Sequence, residues 1–154
     1  MYMKDLDTLS VAIACDHAGY ELKEEIKQYF GAKLFELKDF GTFSADSVDY
    51  PDMINPMAAE INAGKFDFGI AICGTGNGVS MVANKYRNVR AALCWKNEIA
   101  LLARKHNDAN IISLPARFIS LAEAEIMIES FLTTDFEGGR HSARVNKISN
   151  ANNL

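Results

Sequence analysis

The 154-residue chain has little of what would mark a secreted, metal-holding or nucleic-acid-binding protein. Its three cysteines, Cys15, Cys73 and Cys94, are widely spaced and form no C-x-x-C pair, so neither a disulfide framework nor a zinc knuckle is supported. Its three histidines, His17, His106 and His141, fall into no H-E-x-x-H or related spacing, and no metal or cofactor is expected. No apolar run approaches the roughly 20 residues of a membrane span. The opening "MYMKDLDTLS" is too polar for a secretory signal, which needs an apolar stretch of about 7–15 residues. A soluble, cytoplasmic protein that contacts no membrane is expected. Sixteen basic residues stand against 20 acidic ones, for a net charge of −4. Such a chain has no general attraction for nucleic acid or anionic lipid, and an anionic ligand must be held by specific residues.

What is present reads as one domain over residues 1–154, with a core over about 10–132. A chain of this size buries roughly 68–70% of its unfolded surface without staples. The runs "SVAIAC" (10–15), "KLFEL" (33–37), "DFGIAIC" (67–73), "VRAALC" (89–94) and "NIISL" (110–114) are short and apolar-rich. The first and third are nearly continuous, as strands covered on both faces of a parallel sheet are. Between and after them, "YELKEEIKQYF", "YPDMINPMAAEINAG", "GVSMVANKY", "KNEIALLARKH" and "LAEAEIMIESFL" place apolar residues at helical spacing. Gly31 and Gly64 are expected to end the first two helices in the left-handed conformation. Five βα units predict an α/β, three-layer doubly wound, Rossmann-like sandwich with strand order 2-1-3-4-5. The tail "TTDFEGGRHSARVNKISNANNL" (133–154) carries a Gly-Gly break and a basic amphipathic segment. It is expected to pack on its own domain or on a second subunit, with its last residues disordered.

In an open parallel sheet, ligands bind beyond the carboxyl ends of the strands. That edge receives Asp16 and His17 after the first strand, residues 73–78 after the third, and Trp95 and Lys96 after the fourth. In "CGTGNG" the third position of a dinucleotide fingerprint falls on Val79, and Gly78-Val79-Ser80 stands where a Walker loop needs Gly-Lys-Ser/Thr. Val79 also occupies the arginine position of a cysteine phosphatase. What survives is a glycine turn whose backbone N–H groups stabilise an anion or a developing oxyanion. These residues alone leave Cys73 open between a buried strand residue and a reactive thiol, whereas Cys15 and Cys94 read as structural. His17 is a site candidate, and His106 with Asn107 at the end of the fourth helix reads equally as a site pair or as a helix-end partner. Arg140 and Arg144, four apart, share a helix face, and Arg117 follows the fifth strand. Three arginines around one pocket point to a phosphorylated small molecule.

Taken together, "CDHAGYELK", "DFGTFSADSVDYPD", "ICGTGNGVSMVANK", "RAALC", "KHNDANIISL" and "FEGGRHSARV" resemble the sugar-phosphate isomerase family that contains type B ribose-5-phosphate isomerases and galactose-6-phosphate isomerase. The resemblance covers about residues 10–149. It implies that Cys73 is the base moving a proton between C1 and C2 of the open-chain sugar. Thr75 and the loop at Gly74, Gly76, Asn77 and Gly78 would then stabilise the enediolate. It further implies that Asp16, His17 and Tyr50 bind the substrate, that His106 beside Asn107 opens the furanose ring, and that Arg117, Arg140 and Arg144 hold the phosphate. Some relatives place glutamate at the position of Gly78 and serine at that of Cys73, so the thiol version is implied here. Family members form homodimers or tetramers whose active sites draw on two subunits. The implied reaction is reversible isomerisation of D-ribose 5-phosphate and D-ribulose 5-phosphate in the non-oxidative pentose phosphate pathway. The His-Asn pair at 106–107 and the Gly-Gly-Arg-His run at 138–141 resemble the ribose type. The alternatives are a six-carbon substrate such as allose or galactose 6-phosphate, and a non-catalytic sugar-phosphate-binding module. Pro115-Ala116 before Arg117 and Trp95-Lys96-Asn97-Glu98 depart from the family pattern.

Overall fold

The computed structural model describes residues 4–149; the expectation of disorder for the last residues lies outside them. The elements run β1 (Ser10–Cys15), α1 (Tyr20–Phe30), β2 (Glu36–Asp39), α2 (Tyr50–Asn62), β3 (Phe68–Cys73), α3 (Asn77–Ala83), β4 (Ala91–Leu93), α4 (Asn97–Asn107), β5 (Ile111–Pro115), α5 (Leu121–Thr133) and α6 (Ser142–Ser149). All strand pairs are parallel, and the three-layer α/β architecture is the expected one.

Alternation along the strands sorts the core into two layers. Val11, Ile13, Ile70, Ile72, Ile112 and Leu114 pack with Ile26 and Phe30 of α1 and Met127, Ile128 and Phe131 of α5. On the other face the strands offer mainly small residues, Ala12, Ala14, Ala71 and Cys73. Ile54, Met57 and Ile61 of α2 and Val79 of α3 cover them. Cys73 therefore belongs to the α2 and α3 side of the sheet.

The strand order is 2-1-3-5-4 and not the expected 2-1-3-4-5. Burial explains the exchange. All five residues of β5 are buried, whereas β4 has three residues, all partly exposed. The strand with branched side chains on both faces takes the interior place, and the short alanine-rich one takes the edge. Gly64 adopts φ +73°, as expected of a residue ending a helix, but Gly31 stays helical at φ −57°. A side chain at Gly31 would meet the Lys27 carbonyl at 2.7 Å, so close approach and not handedness favours glycine there. The third helix stops at Ala83, short of the expected Tyr86. The Asn84 side chain accepts from the Ala91 N–H and donates to its carbonyl, at 2.8 and 2.9 Å, drawing the chain toward β4.

The tail returns to its own domain. Gly138 and Gly139 both take positive φ, the Glu137 N–H donates to the Lys105 carbonyl at 3.0 Å, and Val145 of α6 is buried.

One ionic cluster braces the β2 end of the sheet. Lys23 is fully buried on α1 and donates to Asp39 and, at 3.0 Å, to Glu24, beneath the rings of Tyr20 and Phe43. Lys27 donates to the same Asp39 oxygen at 2.7 Å, and Asp39 also accepts the Gly41 N–H at 2.8 Å. Burial alone would push the Asp39 carboxyl up, but the two ammonium groups and the amide bring it below the usual carboxylate range. Its contribution to stability is therefore full above the unfolded pKa and disappears as pH falls through the lower folded value. Asp39→Asn should cost about 3 kcal/mol at neutral pH, the low end for breaking a buried pair because Lys23 keeps Glu24. Urea unfolding should show the gap from wild type closing below about pH 4.

Candidate active site

Three strand ends build a cleft of about 440 Å³ at the carboxyl edge of the sheet. After β1, Asp16 is buried and accepts at Oδ1 from the N–H groups of Ala18 and Gly19, at 2.9 and 3.2 Å. This caps a 3-10 turn over His17–Gly19. His17 Nδ1 accepts from the Val48 N–H at 3.3 Å. That bond requires an unprotonated Nδ1, so the neutral ring carries its proton on Nε2, which remains to donate to a ligand.

After β3, Cys73 ends the strand as its sulfur accepts the Gly76 N–H at 3.2 Å. The backbone folds over its own strand end: Gly76 has φ +73°, and a side chain there would lie 2.3 Å from Leu93 Cδ1. Thr75 Oγ1 accepts the Asn77 N–H at 3.4 Å, holding the loop open toward the cleft. Tyr50, in the first turn of α2, lies against Gly78, where a Cβ would stand 2.6 Å from the ring carbon Cζ. No unusual backbone angle calls for glycine at 78; the Tyr50 ring does.

After β5, the chain is laced to the β3 loop. Ala116 N–H donates to the Cys73 carbonyl at 2.9 Å and Arg117 N–H to the Gly74 carbonyl at 3.1 Å. The Arg117 side chain then lies over Gly74, where a Cβ would be 3.1 Å from Nη1. Asp16, His17, Tyr50, Cys73, Gly74, Thr75, Gly78 and Arg117 thus line one cleft. Sequence reasoning missed Met81, which lines it too. Its signal was its place one helical turn after Gly78. Trp95 and Lys96 face a neighbouring cavity of about 520 Å³, which shares Thr75 with the cleft and adds Asn77 and Phe118. Cys15 and Cys94 are both buried, and burial pushes both thiols up to about 12.

The remaining candidates stand on the other edge. α4 starts beyond the carboxyl end of β4 and runs back, so His106 and Asn107 precede the start of β5, where Asn110 accepts from the Gly69 N–H. Cys73 pairs with Pro115 at the far end of the same two strands, four residues on from Gly69, or roughly 13 Å at about 3.3 Å per residue. Arg140 lies beside His141 on the same side, and α6 carries Arg144. The reading of three arginines around one pocket is therefore corrected: within one chain only Arg117 reaches the Cys73 cleft. The physical reason is helix direction, because a helix that follows a parallel strand returns its last turn to the amino edge.

At that amino edge, the His106 and His141 rings stack with centroids 4.3 Å apart and planes 9° from parallel. Glu137 Oε2 lies 3.8 Å from His106 Nε2 and 3.9 Å from His141 Nε2. Desolvation, then His106 and Arg140, hold the His141 imidazole below the usual histidine value. Asp108 ends α4 in the left-handed region at φ 46°, paired with Arg90 at 3.0 Å and with buried Arg104 at 2.9 Å. Asn107 lines a separate cavity of about 540 Å³.

A family model described as Ribose/Galactose Isomerase matches residues 11–148. The chain is 39% identical over 139 residues to the Escherichia coli protein named ribose-5-phosphate isomerase B, covering 90% of this chain and 93% of that one. Among solved structures it is similar to a Thermotoga maritima ribose 5-phosphate isomerase, with a TM-score of 0.89 and 48% identity over 92% of this chain and 98% of the other. It is also similar to the Mycoplasma genitalium ribose-5-phosphate isomerase B solved with bound ribulose-5-phosphate, with a TM-score of 0.89 and 40% identity over 94% and 96% of the two chains.

The Tyr50–Gly78 contact generates a test. Gly78→Ala should overpack the cleft wall and cost about 1–3 kcal/mol. In the Tyr50→Ala background the same change should cost about 1 kcal/mol less, a coupling readable from a double-mutant cycle in urea.

Proposed function

The chain belongs to the ribose/galactose isomerase family, and we propose that it interconverts D-ribose 5-phosphate and D-ribulose 5-phosphate through an enediolate. The observation that carries the reading is the Cys73 sulfur, held by the Gly76 amide at the mouth of a cleft whose other walls are a backbone N–H turn and a guanidinium.

The chemistry follows from those groups. With the sugar open, Cys73 as thiolate takes the C2 proton of the aldose and the C1 carbonyl oxygen gains charge. In this reading Thr75 and the loop amides other than those of Gly76 and Asn77, which are already donated within the loop, stabilise that oxygen. Cys73 then returns the proton to C1 while the O2 hydroxyl proton passes to O1, which leaves the ketose. Atoms and charge balance without an added co-reactant, because enolisation needs only a base and a preorganised set of donors. Arg117 and the His17 Nε2–H serve the polar groups of the substrate, and Asp16 and Tyr50 bound its path.

The acid for ring opening, in this reading His106 with Asn107, comes from a second copy of the chain, together with Arg140 and Arg144. Two observations support a shared site. These four residues stand on the amino edge of their own sheet, and the carboxyl edge is flanked by exposed aromatic side chains, Phe118 and Trp95. The reading includes a cytoplasmic location for the reaction.

Cys73→Ala should lower kcat by about 10²–10⁴-fold with the fold intact, the range expected for loss of a positioned base; near-full activity would sink the assignment. Comparing kcat/KM for five- and six-carbon sugar phosphates checks the substrate class. His106→Asn should impair turnover of cyclic ribose 5-phosphate more than that of ribulose 5-phosphate, which has no furanose ring to open. Refolding equal amounts of the Cys73→Ala and His106→Asn chains together should restore about one quarter of wild-type activity. Half the dimers are then mixed, and each mixed dimer holds one intact site of two. No recovery would mean that each site is built from one chain.

A further inference from the structure

We propose that His106, Glu137 and His141 form a site for a borderline divalent transition ion such as zinc, one that pins the C-terminal tail to the end of α4. No motif spacing announces it, because its residues come together only through the return of the tail. The Glu137 N–H bond to the Lys105 carbonyl sets Glu137 beside the last turn of α4, and the two glycines that follow turn His141 back onto His106.

Two imidazoles and a carboxylate are a donor set that zinc takes with a water in the fourth position. Their three donor atoms lie within 4.8 Å of one another, and Glu137 Oε2 is 3.8 and 3.9 Å from the two Nε2 atoms. An ion in the plane of corners so spaced lies about 2.2–2.5 Å from each, against about 2.0–2.2 Å in zinc sites. A tetrahedral ion with bonds of that length needs donors about 3.4 Å apart, so loading draws the two nearer edges in by roughly 0.4–0.5 Å and the third by up to about 1.4 Å. The nearly parallel rings must tilt toward each other, a motion that the broad second torsion of histidine permits. Arg140 Nε donates to His141 Nε2 at 3.4 Å and gives that contact up on loading. Arg140, Arg144 and Lys105 are the cations around the cluster, and their like charge weakens the site for a divalent ion.

Zinc binding to the full-length protein, measured by calorimetry, tests the site without reference to catalysis. The expected result is about one zinc per chain, weakened at least about tenfold in Glu137→Gln and unchanged in Cys73→Ser, with a zinc-dependent rise in Tm in wild type that Glu137→Gln lacks. Cobalt should give ligand-field bands without a sulfur charge-transfer band. Equal binding by wild type and Glu137→Gln, loss of binding in Cys73→Ser, or no binding at all overturns the proposal. If His106 opens the sugar ring as proposed above, zinc should also slow turnover of ribose 5-phosphate reversibly, with recovery on adding EDTA. Inactivity of the wild type on pentose phosphates would sink that reading of the enzyme and leave the binding result standing.

Discussion

The placement of β5 directly beside β3 is the constraint on which the cleft depends. Two backbone hydrogen bonds continue that pairing past the strands, from Ala116 to Cys73 and from Arg117 to Gly74. They fix the loop that carries the sulfur and the loop that carries the guanidinium as one piece. Had β4 intervened, Arg117 would stand a further strand away, about 4.8 Å from its present line. The exchange of two strands relative to the simplest order therefore decides which cation faces the thiol.

Much of this was legible beforehand. Runs such as "DFGIAIC", short and nearly continuously apolar, favour covered strands, and Val79 argues against nucleotide sites by standing where a fingerprint glycine or a Walker lysine is needed. Strand order was not legible, because it depends on the relative burial of two strands that each look apolar in isolation. The separation of His106 from Cys73 was available in principle from the direction of α4. Grouping residues by shared chemistry concealed it: three arginines suggest one phosphate, whichever sheet edge each occupies. The Tyr50–Gly78 contact was hidden for another reason. Glycine in a loop reads as conformational need, yet at 78 it answers to a ring supplied by a helix that starts 28 residues earlier.

Each face of the molecule follows its own packing rule. The α2 and α3 side uses alanines on the strands, so the helices approach closely and Tyr50 can overhang the end of β3. The α1 and α5 side uses isoleucine and phenylalanine and supplies bulk. The functional turn sits on that side, where glycine at 76 is required both by its left-handed backbone and by the closeness of Leu93, and glycine at 78 by the Tyr50 ring alone.

Lys23 offers a way to watch the molecule open. Its ammonium group is sealed beneath Phe43 and bound to Asp39, at the root of the segment that ends by holding His17 through Val48. An amine-directed reagent can reach it only when that segment lifts, whereas Lys65, mostly exposed, reacts at once. The ratio of the two labelling rates therefore reports how often this wall of the cleft breathes, residue by residue and without a substrate.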